Sequence, residues 1–411
     1  MVAVIVVLSV IVLSGQELKH VPPAAPTYIV LHTFVGSPAD GAVPYAGLTP
    51  DGAGNLYGTT FYGGAHNDGV VFKLSPTGTE TILHSFTGYP NDGGVPWAGL
   101  IRDAAGNLYG TTRQGGARCG TFGCGTVFKL SPTGTEKVLY SFSGGRDGGN
   151  PVAGLVRDTA GNLYGATNGG GATSTCNAPY GCGVVFKLSP TGAETVLHRF
   201  NGADGASPYA GFLVLDTAGN LYGTTNAGGA HNQGVVFKLS PTGSETVLHS
   251  FTGGADGGGP RAGLLRDAAR NLYGTTLNGG TSVNGPCAGG CGVVFKLSPC
   301  DSGYDFSVVY TFPGGAEGGN PEAGLIQDPV GNLYGTTGSL APGYNVVFKL
   351  SPAGTETVLY SFVGGADGGT PYAGLVRDSA GNLYGTTVDG GDTSGACGQG
   401  GGCGVVFRLG P

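Results

Sequence analysis

Apolar residues in this chain fall in short runs, typically four to seven residues long, separated by Gly, Pro, Asn and Asp. One stretch shows the order clearly: Ala153-Gly-Leu-Val-Arg-Asp158, Asn162-Leu-Tyr-Gly-Ala-Thr167, Gly183-Val-Val-Phe-Lys-Leu188 and Glu194-Thr-Val-Leu-His-Arg-Phe200. Such runs, rich in Val, Leu, Tyr, Phe and Thr and bounded by turn residues, predict β-strands. Outside the N-terminal apolar segment, no helical 3.6-residue period persists over ten or more residues. Asp158-Thr-Ala-Gly161 and Ser189-Pro-Thr-Gly192 are turn sequences: Asp bonds its own turn, Pro presets φ, and Gly takes the left-handed position. Both connections are short, so each joins antiparallel neighbours. The pattern predicts an all-β chain built from four-stranded meanders.

The meander recurs. Asn-Leu-Tyr-Gly-(Thr/Ala)-Thr occurs seven times, starting at Asn55, Asn107, Asn162, Asn220, Asn271, Asn332 and Asn382. A four-strand unit repeating at about 50 residues is the signature of a propeller blade. The ends of the chain are complementary. Thr27-Tyr-Ile-Val-Leu-His-Thr-Phe34 matches the fourth strand of a repeat, whereas Gly404-Val-Val-Phe-Arg-Leu409 is a third strand. An N-terminal outer strand would complete a blade with three C-terminal strands and remove the free edges of an open array. The expected fold is a seven-bladed β-propeller of four-stranded antiparallel blades over residues 27–411, with an open β-solenoid as the alternative.

In such a meander the 1–2 and 3–4 turns share one face. The 2–3 loops and the blade-to-blade 4–1 loops share the other, and they hold nearly all the length variation, where function on repeat scaffolds tends to sit. The 4–1 loops each carry one carboxylate: Asp40, Asp92, Asp147, Asp204, Asp256, Glu317 and Asp367. A ring of carboxylates could hold a cation such as Ca²⁺, but Asp-Gly is also what a tight turn requires, and Ca²⁺ needs six to eight converging oxygens. The residue after the repeated proline varies while its surroundings do not: Tyr45, Trp97, Val152, Tyr209, Arg261, Glu322 and Tyr372, each followed by Ala-Gly-(Leu/Phe). This position opens the first strand near the central channel, where aromatic rings could stack on sugars or apolar ligands; the plain alternative is a rim residue without a role. The repeated Tyr of Asn-Leu-Tyr-Gly and Phe of Val-Phe-Lys are expected in the inter-blade core. His32, His84, His198 and His249 alternate with Tyr140, Tyr310 and Tyr360, which favours packing over metal ligation.

Charge narrows the partners. The net charge is -7 with few charged residues, which disfavours a phosphate backbone as ligand, so no nucleic acid is expected. Val2 to Leu13 is apolar and too short to span a bilayer comfortably. It fits the apolar region of a secretory signal over residues 1–15, without the usual basic start, followed by a linker over 16–26. An uncleaved anchor is the alternative, and no transmembrane span is expected in the mature chain. Eight of the nine cysteines form local pairs in the 2–3 loops: Cys119/Cys124, Cys176/Cys182, Cys287/Cys291 and Cys397/Cys403. Disulfides in an oxidising compartment fit the signal; free thiols or zinc are the alternatives, although pairs on separate blades do not easily build one tetrahedral site. Cys300 is left over, in an insertion between strands three and four.

The string Asn-Leu-Tyr-Gly-Thr-Thr…Gly-Gly…Gly-Val-Val-Phe-Lys-Leu-Ser-Pro-x-Gly…Val-Leu-His-Ser-Phe resembles the Gloeo/Verruco (GloVer) tandem repeat of bacterial secreted proteins, from Thr27 to Pro411. The resemblance implies an extracellular or surface protein and brings no catalytic residues. Relatives often end in a C-terminal sorting signal; this chain ends inside its last blade, so release is expected. The expected function is a monomeric, non-catalytic binding module for glycans or cell-surface polymers on the variable-loop face. The alternatives are a propeller enzyme (lactonase, lyase or glycoside-active) and a purely structural or protein-interaction scaffold with a protein partner. An enzyme would need an asymmetric cluster of acid, base or metal groups. Arg261, Glu317 and Glu322 form the one local charged patch the repeats suggest, and His66 and His231 lie on non-adjacent blades.

Overall fold

A computed structural model describes residues 26–90, 92–116, 119–171, 176, 181–209, 211–280, 287, 289–338, 345–393, 397 and 401–411. The apolar segment 1–15 and nearly all of the linker lie outside the described residues. Seven four-stranded antiparallel sheets form a seven-bladed β-propeller. Blades 1 to 6 cover residues 49–85, 101–141, 156–199, 214–250, 265–311 and 326–361. Blade 7 combines residues 376–409 with the N-terminal strand Tyr28–Thr33, which pairs antiparallel with Val405–Leu409. The three-plus-one closure therefore forms as the complementary ends require.

The core is divided among the interfaces. Seven hydrophobic clusters occur, one between each pair of neighbouring blades. The third strand explains this. Val70, Phe72 and Leu74 pack toward blade 7, while Val71 packs toward blade 2. A strand buried on both faces reads as a continuous apolar run, which is why Val-Val-Phe lacks alternation. At every interface the last Phe of a fourth strand meets the third-strand Phe of the next blade edge to face, from Phe34 on Phe72 at 5.3 Å to Phe362 on Phe407 at 5.3 Å. The Phe72 ring also lies over Gly58, where a Cβ would approach it to 2.5 Å, so Asn-Leu-Tyr-Gly needs its glycine for space.

The 1–2 turn is a hydrogen-bonded knot. Asp51 accepts from the Ala53 and Asn55 N–H groups, from Asn55 Nδ2 at 2.8 Å and from the Tyr57 hydroxyl at 3.1 Å. The Asp-Asn-Tyr bonds recur in all seven blades, so the repeated Tyr both packs between blades and ties its hydroxyl to the turn. Burial works against the Asp51 charge, but the bonds from Asn55 and the neighbouring donors win and hold its carboxyl below the usual range. Gly54 takes φ 81° in this turn; in blade 5 Arg270 occupies the same place at φ 69°. Blade 5 departs once more. The Cys300 insertion lengthens its outer hairpin, Val293–Cys300 with Gly303–Thr311, and carries Phe306 onto His249 of blade 4, ring centroids 3.9 Å apart.

On the variable face, the 4–1 loops pair with neighbouring 2–3 loops, five of them on both sides among the described residues. Gly41–Ala42 bonds Tyr62–Gly63, and Val43 N–H donates across the interface to the Cys403 carbonyl. Four disulfides join Cys119–Cys124, Cys176–Cys182, Cys287–Cys291 and Cys397–Cys403, and Cys300 is free. Two of the pairs sit under the 4–1 loop that leads on to the next blade: a Cβ on Gly144 would meet both Cys119 and Cys124, and one on Gly319 both Cys287 and Cys291. Asp68 and Gln233 fill that place in two blades without the pair, beside Gly88 and Gly253.

Candidate functional site

The first strands are only two residues long, so the Ala-Gly-Leu segments before them form the wall of the central channel. They enclose a cavity of about 210 Å³. Its wall is mostly apolar because Ala, Gly and Leu line it, the Leu side chains also packing into the inter-blade clusters behind. The residue after the repeated proline stands at the head of each segment.

Four of the six proposed ligand residues, Tyr45, Trp97, Glu322 and Tyr372, line this cavity. Tyr209 lines a small second void, and Arg261, which lines neither, links the Tyr209 ring to Glu322. Val152, the blade 3 counterpart, is buried. Tyr45 lies between Trp97, 4.3 Å away with planes 10° apart, and Tyr372, 5.8 Å away and 16° apart. Phe61 closes on Tyr45 and Trp97 edge to face, and Arg113 covers Trp97 at 5.5 Å. On the opposite side Arg261 sits 5.1 Å over the Tyr209 ring and donates from Nη1 to Glu322 Oε1 at 2.9 Å. The ring faces expected to stack on a ligand thus already engage one another and the two guanidinium groups. What the rim offers instead is hydroxyls, ring edges, the Glu322 carboxylate and the Arg261 guanidinium.

Burial raises Glu322 despite the opposing pull of Arg261. Burial also raises Tyr372, helped by the charge of Glu322 and by Tyr45 and Asp389; the Tyr45 and Tyr209 hydroxyls are raised by burial first as well. At neutral pH the tyrosines are therefore neutral hydroxyls that both donate and accept hydrogen bonds.

The seven loop carboxylates do not converge. Each stays on its own outer rim, beside the fourth-strand His or Tyr of its blade. Asp92 accepts from the Thr87 and Gly93 N–H groups and meets His84 Nε2 at 3.1 Å. Asp256 pairs with His249, Asp204 with His198, and Asp147, Asp367 and Glu317 accept from Tyr140, Tyr360 and Tyr310. Asp40 accepts from Val35 and Gly41 N–H groups near His32. Turn and rim bonds account for these oxygens. The His/Tyr alternation is explained too: either ring can donate to the carboxylate six to eight positions later. The first residue of the next blade's fourth strand joins the group, a feature that repeat comparison missed. Two such groups among the described residues, His32/Asp40/Glu80 and His198/Asp204/Glu245, bring possible metal-ligating atoms within 4.8 Å of one another. Each contains one carboxylate of the seven.

Sequence reasoning also passed over Phe212. The repeated proline and the Asp of the 1–2 turn are seven positions apart in six repeats, as in Pro44 to Asp51, but eight apart from Pro208 to Asp216. That spacing was the available signal. The extra residue is Phe212, whose ring lies in the channel against Gly99 and Gly154.

The architecture and its repeats define a propeller built from one tandem repeat. The chain belongs to the Gloeobacter/Verrucomicrobia repeat family, whose sequence model matches residues 19–176 and 173–400. No curated protein matches it. Among solved structures it is similar to the extracellular domain of a one-component system protein from B. thetaiotaomicron, with 11% identity over 92% of this chain and 39% of that chain, TM-score 0.54. It is also similar to a Bacteroides uniformis protein described as a 6-phosphogluconolactonase, with 18% identity over 80% of this chain and 88% of that one, TM-score 0.50. A structure described as a gluconolactonase shares 14% identity over 94% of this chain and 93% of that chain, TM-score 0.44. At these identities the likeness is one of fold.

Proposed function

We propose that the protein is a secreted, non-catalytic recognition module whose ligand is a polyhydroxylated molecule, a glycan or cell-surface polymer, docked at the channel mouth on the variable-loop face. One observation carries this reading. Four residues of the single position that varies among near-identical surroundings, Tyr45, Trp97, Glu322 and Tyr372, line one cavity, and Arg261 joins Glu322 to the neighbouring Tyr209. Packing alone would have kept that position as uniform as its neighbours. Neutral hydroxyls beside a partly buried ion pair suit sugar hydroxyls, which both donate and accept. The four disulfides support an oxidising compartment, and hence secretion.

The test is a glycan and cell-wall polysaccharide array probed with the chain from residue 16 onward, with Ca²⁺ and again with chelator. Selective binding that Glu322→Gln and Tyr45→Ala weaken at unchanged melting temperature supports the reading. A blank array in both conditions, or binding indifferent to those substitutions, overturns it. Loss of binding in chelator alone would bring the rim carboxylates into the site.

A further inference from the structure

The sevenfold pattern of the channel is broken at one interface, twice. Blade 4 carries the extra residue Phe212. Blade 3, its neighbour, carries Ala166 where the other six repeats have the first Thr of Thr-Thr. In those six blades that hydroxyl donates across the interface to the next blade's Ala carbonyl, as from Thr59 to Ala98 at 3.1 Å and from Thr224 to Ala262 at 2.8 Å. Blade 3 lacks the donor on the side where the following segment carries the extra residue. Ala166 is buried and borders the small void beside Phe212.

The insertion has a geometric result. Elsewhere the channel glycines stack blade on blade, with a Cβ on Gly47 meeting the Gly374 carbonyl and one on Gly99 the Gly47 carbonyl, each at 3.1 Å. Phe212 reaches past this ring. A Cβ on Gly154 would come within 2.2 Å of its ring and one on Gly99 within 3.1 Å, so the phenyl covers the blade 2 and blade 3 side of the channel. Blade 3 is accordingly absent from the lining of the main cavity, to which Tyr45, Trp97, Glu322 and Tyr372 all contribute. Phe212 is 39% exposed and, among the described residues, stacks on no other ring. It is the aromatic surface left free once the mouth rings have capped one another.

We infer that Phe212 is the specificity-determining residue of the channel site: it narrows the lumen to a pocket for one saccharide ring, which lies against its face while the hydroxyls reach the Glu322 and tyrosine rim. The inference rests on the proposed glycan reading. The cavity, about 210 Å³, lies below the roughly 300–1,000 Å³ of pockets that bury drug-sized ligands, a size that favours one terminal ring inside it with any remaining chain outside the mouth.

The experiment compares the wild type, Phe212→Ala, Phe212→Tyr and a deletion of residue 212 that restores the seven-residue spacing. The probes are methyl glycosides of glucose, galactose, mannose and N-acetylglucosamine and the corresponding β-linked trisaccharides, with melting temperature measured in parallel. The wild type is expected to bind a methyl glycoside and to gain nothing from the trisaccharide. Phe212→Ala and the deletion should lose about tenfold in affinity for the single ring at unchanged melting, and Phe212→Tyr should keep it. Affinity of Phe212→Ala within twofold of wild type overturns the inference while leaving the mouth reading intact. A wild type that binds trisaccharides but no single ring also overturns it. A wild type that binds neither class overturns the glycan reading and the inference with it.

Discussion

Stability should fall as pH rises from 5 to 8, because of five glutamates at the blade interfaces. Glu80, Glu136, Glu194, Glu245 and Glu356 each open a fourth strand and leave Oε1 without a partner. Each is pushed up to about 7, first by burial and then by the loop carboxylate of the preceding blade: Asp40, Asp92, Asp147, Asp204 and Glu317 respectively. A carboxyl raised in the folded state stabilises the fold fully below its unfolded value near 4.5, and that contribution is lost as pH climbs through about 7. The partner aspartates Asp40 and Asp92 are lowered instead, against the effect of burial, by their hydrogen bonds, so their stabilisation is lost only on acidification below the usual carboxylate range. A shift of this size would be worth about 3.4 kcal/mol per site unscreened; solvent at the rim leaves roughly 1 kcal/mol each, or about 5 kcal/mol over the five. With an unfolding entropy of about 2.1 cal/mol/K per residue, this lowers the melting temperature by about 6 °C between pH 5 and pH 8. Replacing all five by Gln should flatten the profile and raise melting at pH 8 by a similar amount. Calorimetry across that range decides. A flat wild-type profile, or the same slope in the five-Gln variant, refutes the reasoning.

Three further outcomes follow from packing and covalent structure. Phe34→Ala, in the strand that closes the ring, should cost about 3–5 kcal/mol, as much as Phe200→Ala at an internal interface, since both rings are fully buried; a urea-unfolding loss below 1 kcal/mol would mean the closure is loose. Alkylation of the unfolded, unreduced chain should label Cys300 alone, and all nine cysteines after reduction; more than one label before reduction contradicts the four disulfides. Arg270→Gly should stabilise blade 5 by about 1 kcal/mol, because it relieves a left-handed backbone that the other blades give to Gly, and no gain in the urea midpoint would show that Arg270 is held there without strain.

Blade count, strand order and ring closure were all legible in the sequence, for a physical reason. Each blade must bury its third strand on both faces against its neighbours, so Val-Val-Phe recurs with its turns, and the unequal ends Tyr28–Thr33 and Val405–Leu409 can be matched. The residues at the channel mouth were legible as the one position freed from that constraint. Their mutual contacts were not, because Tyr45 meets Trp97 only when neighbouring blades pack, and Tyr372 only when ring closure brings blades 7 and 1 together. The rim pairs escaped notice for a related reason: Glu80 faces Asp40 across an interface, and neither residue's own repeat records the other. Phe212 was hidden because Ala-Gly-Phe reads as a tolerated variant of Ala-Gly-Leu until the spacing to Asp216 is counted and Leu213 is seen to take the core place of Leu48.

The claim that a ligand sits at the channel mouth has a built-in reporter. The chain contains one tryptophan, and it is Trp97, stacked on Tyr45 beneath Arg113. Titrating the strongest array ligand while exciting tryptophan selectively should give a saturable change in emission, at the concentration that gives half-maximal binding by calorimetry, and Glu322→Gln should shift both curves together. Calorimetric saturation with Trp97 emission unchanged would place the ligand elsewhere on the propeller and contradict the account.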